Sequence, residues 1–153
     1  EEHPALLVFN AVYGGTATSK LFLNVREKLS LCYFASSMLE KYKGLLLVSS
    51  GIEFQNYEKA KGEILAQLDA CREGKIEDWE LQAAKRAIVS SLRAGMDPQS
   101  RMEDYWPGQA AAGLEEDQEA LIARVEQVTA AQVAEAARRT KLDTVYFLKG
   151  LEG

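Results

Sequence analysis

The chain reads as an α+β protein, an antiparallel sheet with helices stacked on one face. Three observations carry that reading. Leu31–Glu40 and Leu45–Glu53 are β-rich runs on either side of Lys41-Tyr42-Lys43-Gly44, the pattern of an antiparallel hairpin. Several stretches with apolar residues at helical spacing follow. One late β-rich run, Thr144–Leu148, then closes the chain and ends at Gly150. A hairpin followed by a block of helices is an α+β layout.

Taken in order, Pro4 to Tyr13 is apolar nearly throughout and suits a buried helix or a strand. Pro4 belongs in a first helical turn and Gly14 at a C-cap, so a helix is expected. Thr18 or Ser19 can cap a second helix, Ser19–Leu29, with Leu21, Phe22, Val25 and Leu29 at helical spacing. Cys32-Tyr33-Phe34-Ala35 is an aromatic run of strand character. Asn56 is placed to cap a third helix, in which Tyr57, Ala60, Ile64, Leu68 and Cys71 form one face and Gly74 marks the end. Helix Asp78–Ala94 carries the stripe Leu81, Ala84, Ile88 and Leu92, closed by Gly95 and Asp97-Pro98. Trp79, in its first turn, is expected to pack back across the connection. Gln99–Gly113 holds Tyr105-Trp106 before the helix-breaking Pro107 and little further pattern. A short helix Asp117–Val128 carries Leu121, Ile122 and Val125. Thr129 and Gln132 form a capping box for the helix of Val133, Ala136 and Ala137.

With 153 residues, 47% hydrophobic and 27% charged, the chain is expected to fold as one globular domain, residues 1–153. A formal charge of −5 and the lack of any Lys/Arg cluster argue against a nucleic-acid surface. Apolar runs such as Ala5–Phe9 and Leu45–Val48 are far too short to span a bilayer. The opening Glu1-Glu2-His3-Pro4 has no methionine and no signal peptide, so a fragment of a longer chain is expected. Cys32 and Cys71 make neither a CxxC pair nor a disulfide framework. Reduced thiols in a cytoplasmic, bacterial-type setting are the default.

The most informative stretch is Ala11 to Ala35, AVYGGTATSKLFLNVREKLSLCYFA. Gly14-Gly15 lets the backbone take positive φ or approach another segment closely. Arg26-Glu27 falls late in the helix, where a cation is favoured by the dipole, and Tyr33 lies seven residues beyond Arg26. Read residue by residue, this is a glycine turn, an amphipathic helix, a surface arginine and a half-buried tyrosine. The whole string is more specific. It resembles the GG-x-x-x-S-x-L-F-x-x-(L/V)-R-E-x-x-(G)-L-x-Y signature of the pitrilysin/insulinase family of zinc metallopeptidases, in the half that lacks the zinc. Gly14, Gly15, Ser19, Leu21, Phe22, Arg26, Glu27, Leu31 and Tyr33 all fit. Ser30 stands where glycine is usual, which points to a less tight turn.

The resemblance runs to about Gly150 and implies a half-domain of the mitochondrial-processing-peptidase/LuxS-like metallohydrolase type. It implies a clamshell in which a zinc-bearing homologous domain, in cis or in trans, hydrolyses a peptide while this half closes over it. The family residues matching Arg26 and Tyr33 bind the substrate backbone, so these two are the candidate substrate-binding residues. Their chemistry suits that task. Arg26 offers a permanent forked donor and Tyr33 a hydroxyl donor. Glu27 is adjacent to Arg26, but i,i+1 residues on a helix diverge, so the guanidinium is expected to stay free with the Tyr33 hydroxyl beside it. The resemblance also implies a usual strand upstream of these residues, so a missing edge strand is expected here, and with it an unpaired edge and self-association. A structural partner domain without substrate contact is the main alternative, with an independent peptide-binding or chaperone-like domain behind it.

The family's active half carries H-x-x-E-H. Here His3 is the only histidine, beside a proline at the frayed start, and is expected to be solvated. Zinc needs three or four N, S or O ligands in tetrahedral reach, and both cysteines sit on apolar faces. No metal ligands, no cofactor and no catalytic residue are assigned to this chain; zinc belongs to the partner. A Ser or Cys triad would need His3 as its base, and no G-x-S-x-G elbow is present. Cys32 is expected to be a small core hydrophobe. No G-K-[ST] follows Gly14-Gly15, so the phosphate-loop reading is weak.

Overall fold

A computed structural model describes residues 2–40, 43–96 and 117–150. Helix α1 (His3–Asn10) opens with Pro4 in its first turn, where a missing N–H costs nothing. It does not stop at Gly14. The chain continues in π-helical winding through Ala11–Gly15 and turns to extended backbone only at Thr16. Gly14 is therefore not a C-cap. Its value is close approach: a Cβ there would lie 2.7 Å from the Leu21 Cδ1, the Ser37 N and the Ser37 Oγ.

Ser19 accepts a hydrogen bond from Phe22 N at 3.3 Å and so caps the next helical segment, π-wound over Leu21–Lys28. The segment ends with Ser30 in the left-handed region at φ 50°. Ser30 N donates to Arg26 O and Leu31 N to Val25 O, each at 3.1 Å. That is a Schellman-type ending with both bonds one residue longer, as the wider π winding requires. Ser30 therefore holds a left-handed conformation that glycine would adopt without its steric cost.

Strands β1 (Phe34–Glu40) and β2 (Leu45–Gly51) form the antiparallel hairpin, with Phe34 opposite Gly51 and Glu40 opposite Leu45. The first strand begins later than its sequence run, because Leu31–Tyr33 serves the turn. Gly44 takes φ +63° at the hairpin end, while Lys41 and Tyr42 lie outside the described residues. Ala35 and Ser37 are buried against the two π-helical segments, whereas Phe34, Met38, Leu45 and Leu47 face outward and stay exposed.

A 3-10 turn, Phe54–Asn56, leads into α2 (Tyr57–Arg72), which buries Ala60, Leu68 and Cys71. Asn56 holds the N-cap position without a side-chain cap bond. Gly74, at φ +77°, closes α2 in a Schellman motif, Gly74 N to Cys71 O and Lys75 N to Ala70 O. Helix α3 (Asp78–Met96) buries Leu81, Ala84 and Val89, with Ile88 and Leu92 packed beside them. Trp79 does not pack back; it is exposed. In α4 (Gln118–Gln127), capped by Asp117, Leu121, Ile122 and Val125 are buried. The Thr129/Gln132 capping box opens α5 (Ala130–Arg139), which buries Val133, Ala136 and Ala137.

Helices α1 and α2 both pack on α5, and α3 packs on α4, so the helical layer lies on the inner face of the hairpin. The expected α+β class is the one observed. The expected strand Thr144–Leu148 is not: residues 140–150 form no regular element and lie mostly exposed. Phe147 docks by ring stacking on Tyr57 and Phe54, which holds the segment without a strand ladder. The Gln99–Gly113 reading, with Tyr105-Trp106, lies outside the described residues. None of the described helices is long and apolar enough to cross a membrane.

Candidate functional site

The reversal at Ser30 brings the end of the second π-helical segment against the start of the hairpin. Between them opens a cleft of about 420 Å³. It is lined by Arg26, Glu27 and Ser30 from the helix end, by Leu31, Cys32 and Tyr33 leading into the hairpin, and by Glu53 and Asn56 after it. Both sequence-selected residues thus line one cleft, although they are seven apart. Arg26 Nε donates to the Tyr33 backbone oxygen at 3.0 Å, which ties the helix end to the strand entry. The guanidinium also lies over the Phe22 ring, its Cζ 4.7 Å from the centroid.

The side chains are not arranged as expected. Arg26 Nη1 meets Glu27 Oε1 at 3.3 Å, so the guanidinium is not left free by the i,i+1 spacing. The divergence of neighbouring helical residues is overcome because both side chains are long and about half exposed, with room to bend toward each other. The Tyr33 hydroxyl points elsewhere and donates to Glu53 Oε1. Nη2 of Arg26 takes no part in these contacts. Each candidate donor already has a carboxylate partner from its own chain.

Glu53 and Asn56 were missed by sequence reasoning, yet hairpin register carries a signal for Glu53. Tyr33 N donates to Gly51 O at 2.7 Å although Gly51 already pairs with Phe34, so Tyr33 and Phe34 both oppose Gly51 in a bulge-like step. Glu53, two residues beyond Gly51, then comes within reach of the Tyr33 hydroxyl. Asn56 carries no comparable local signal, since its side chain is not used as a cap.

Cys32 is partly buried at the edge of the core and also lines the cleft, rather than lying wholly inside. Cys71 is fully buried, and burial pushes its thiol up to about 12. His3 is half-buried in the first turn of α1, not solvated. Among the described residues no three His, Cys, Asp or Glu side chains gather in a way that could hold a metal. With one imidazole in the chain and its thiols in separate surroundings, the residues present do not fit a zinc centre.

A family model, the peptidase M16 inactive domain, matches residues 1–88. The "Probable inactive metalloprotease YmfF" of Bacillus subtilis (strain 168) is 41% identical over 153 residues, all of this chain and 36% of that protein. The crystal structure of a conserved protein from Enterococcus faecalis V583 superposes with a TM-score of 0.85 at 32% identity, over 91% of this chain and 33% of that one. A peptidase M16 inactive domain from Pseudomonas fluorescens shares the fold, with a TM-score of 0.82 at 18% identity, over 92% of this chain and 34% of its own. The chain spans about a third of the length of these relatives. The string from Gly14 to Tyr33 and the helical layer over a hairpin agree with the match: the chain belongs to the peptidase M16 inactive-domain family.

Proposed function

We propose that this chain is the non-catalytic, substrate-binding half of an insulinase-type assembly, closing over a peptide held against a zinc-bearing homologous domain. The observation that carries the reading is the cleft that Arg26 and Tyr33 share. A peptide carbonyl entering it meets the outward guanidinium edge of Arg26, and the Tyr33 hydroxyl can swing from Glu53 to a second carbonyl. Both side chains are substantially exposed, so the internal pairs they leave are worth little, about 0–1 kcal/mol each.

A second reading is favoured by those same pairs. Arg26 with Glu27 and Tyr33 with Glu53 are satisfied within the chain, as in a structural partner domain that touches no substrate. Peptide binding separates the two readings and does not depend on any hydrolytic activity of the whole assembly. Titration of a fluorescein-labelled tryptic digest of casein with the chain should raise its anisotropy. Arg26→Ala with Tyr33→Phe should weaken binding on the order of tenfold or more, since one bond lost is charged. A folded double variant that binds like the parent leaves the structural reading. Self-association of the isolated chain through its outward hairpin belongs to the same proposal, and sedimentation showing a strict monomer at high concentration would remove it.

A further inference from the structure

We propose that Phe147 is a positioning residue for the cleft, a role that rests on reading Arg26 and Tyr33 as its peptide-gripping pair. Along residues 140–150, Leu142, Val145, Tyr146 and Leu148 stay exposed. Phe147 is the side chain that docks. Its ring centroid lies 4.1 Å from that of Tyr57 and 6.1 Å from that of Phe54, with the planes 22° apart in both pairs. Lys149 adds a cation over the Phe54 ring, Nζ 4.8 Å from the centroid.

Phe54 opens the 3-10 turn and Tyr57 follows it, and the same turn carries Asn56, with Glu53 just before it, into the cleft lining. The backbone bonds that close this turn are local: Asn56 N to Glu53 O at 2.9 Å, and Tyr57 N to Phe54 O. They set its shape without tying it to a distant part of the chain. The Phe147 stack supplies such a tie, across ninety positions of sequence. With the ring gone, the turn is free to lift, Glu53 and Asn56 withdraw from the cleft lining, and the cleft widens around Cys32. Phe147 touches no ligand; it acts through Glu53 and Asn56.

The cleft carries its own reporter. Cys32 lines it, whereas Cys71 is wholly buried, so thiol reaction of the folded chain with dithionitrobenzoate reads Cys32. Phe147→Ala should raise the Cys32 rate roughly two- to twelvefold, the range that an aromatic stack commands. Phe147→Leu, which keeps an apolar side chain and the fold, should raise it too, and Phe147→Tyr should restore the parent rate. Val133→Ala weakens the core in α5 without touching the turn, and should leave Cys32 unchanged. Binding of the casein digest should weaken in step with the thiol rates. A folded Phe147→Leu chain with the parent Cys32 rate overturns the proposal, and so does an equal acceleration by Val133→Ala. If the parent chain fails to bind the digest, the peptide-gripping reading falls, while the thiol rates still decide the claim for Phe147.

Discussion

Lys20 and Glu80, sixty residues apart, form a bidentate ion pair, with Nζ 2.9 Å from each carboxylate oxygen and both side chains nearly excluded from solvent. Glu80 Oε2 also accepts from Glu77 N at 2.9 Å, so one carboxylate caps the start of α3 and fastens it to the residue leading into the second π-helical segment. Removing one partner strands a buried charge. Glu80→Ala should cost about 3–5 kcal/mol of unfolding free energy in a urea titration. The double change Lys20→Met with Glu80→Leu should recover most of that loss, short of about 1 kcal/mol for the missing cap. Equal losses in the single and double variants would show that the charge itself is not what matters.

Ser30 occupies a left-handed conformation at φ 50°. That region costs a non-glycine residue about 1–2 kcal/mol, partly offset in glycine by its greater unfolded-chain entropy. Ser30→Gly should therefore stabilise by several tenths to about 1 kcal/mol, and Ser30→Ile should destabilise by about 1–2 kcal/mol.

Two glycines make opposite predictions. At Gly14 a methyl group would meet the Leu21 side chain and the Ser37 backbone at 2.7 Å, and Gly14→Ala should cost about 1–3 kcal/mol. At Gly62, within α2, an added Cβ meets nothing within 4 Å, and Gly62→Ala should gain about 1 kcal/mol from helix propensity. Thermal unfolding of the two variants should move the midpoint in opposite directions.

Cys71 makes stability depend on alkaline pH. Burial first, and the nearby Glu80 carboxylate after it, lift its thiol from 9.0 to about 12, against the opposing pull of Lys20. The unfolded chain then loses this proton at lower pH than the folded one. Stability is unaffected below about pH 9 and falls as pH rises toward 12, by about 1.4 kcal/mol per unit. Tyr13, whose hydroxyl is also raised by burial, adds a fall of the same sign at higher pH. Cys71→Ala should flatten the slope between pH 9 and 10 relative to the parent, measured by urea unfolding at each pH. An unchanged slope would mean the thiol does not titrate differently in the two states.

The sequence by itself determined what short-range physics controls. The Thr129/Gln132 capping box, the helix beginning near Asp117, the Gly74 ending and the stripes of α2, α4 and α5 depend on residues within a turn or two of one another. The hairpin and the string from Gly14 to Tyr33 were legible for the same reason, and the string carried the family. What needed the tertiary structure were the choices between locally equal options. Gly14 could end a helix or admit a close neighbour, and the approach of Ser37 and Leu21 decided for the neighbour. Lys20 and Glu80 each look like surface charges until the fold buries them together. Thr144–Leu148 has strand composition, but a strand exists only beside a partner, and ring stacking at Phe147 holds this segment instead. Arg26 and Tyr33 could be chosen from the sequence; that Glu27 and Glu53 engage them could not, because an exposed side chain goes to whichever acceptor the surrounding fold brings within reach.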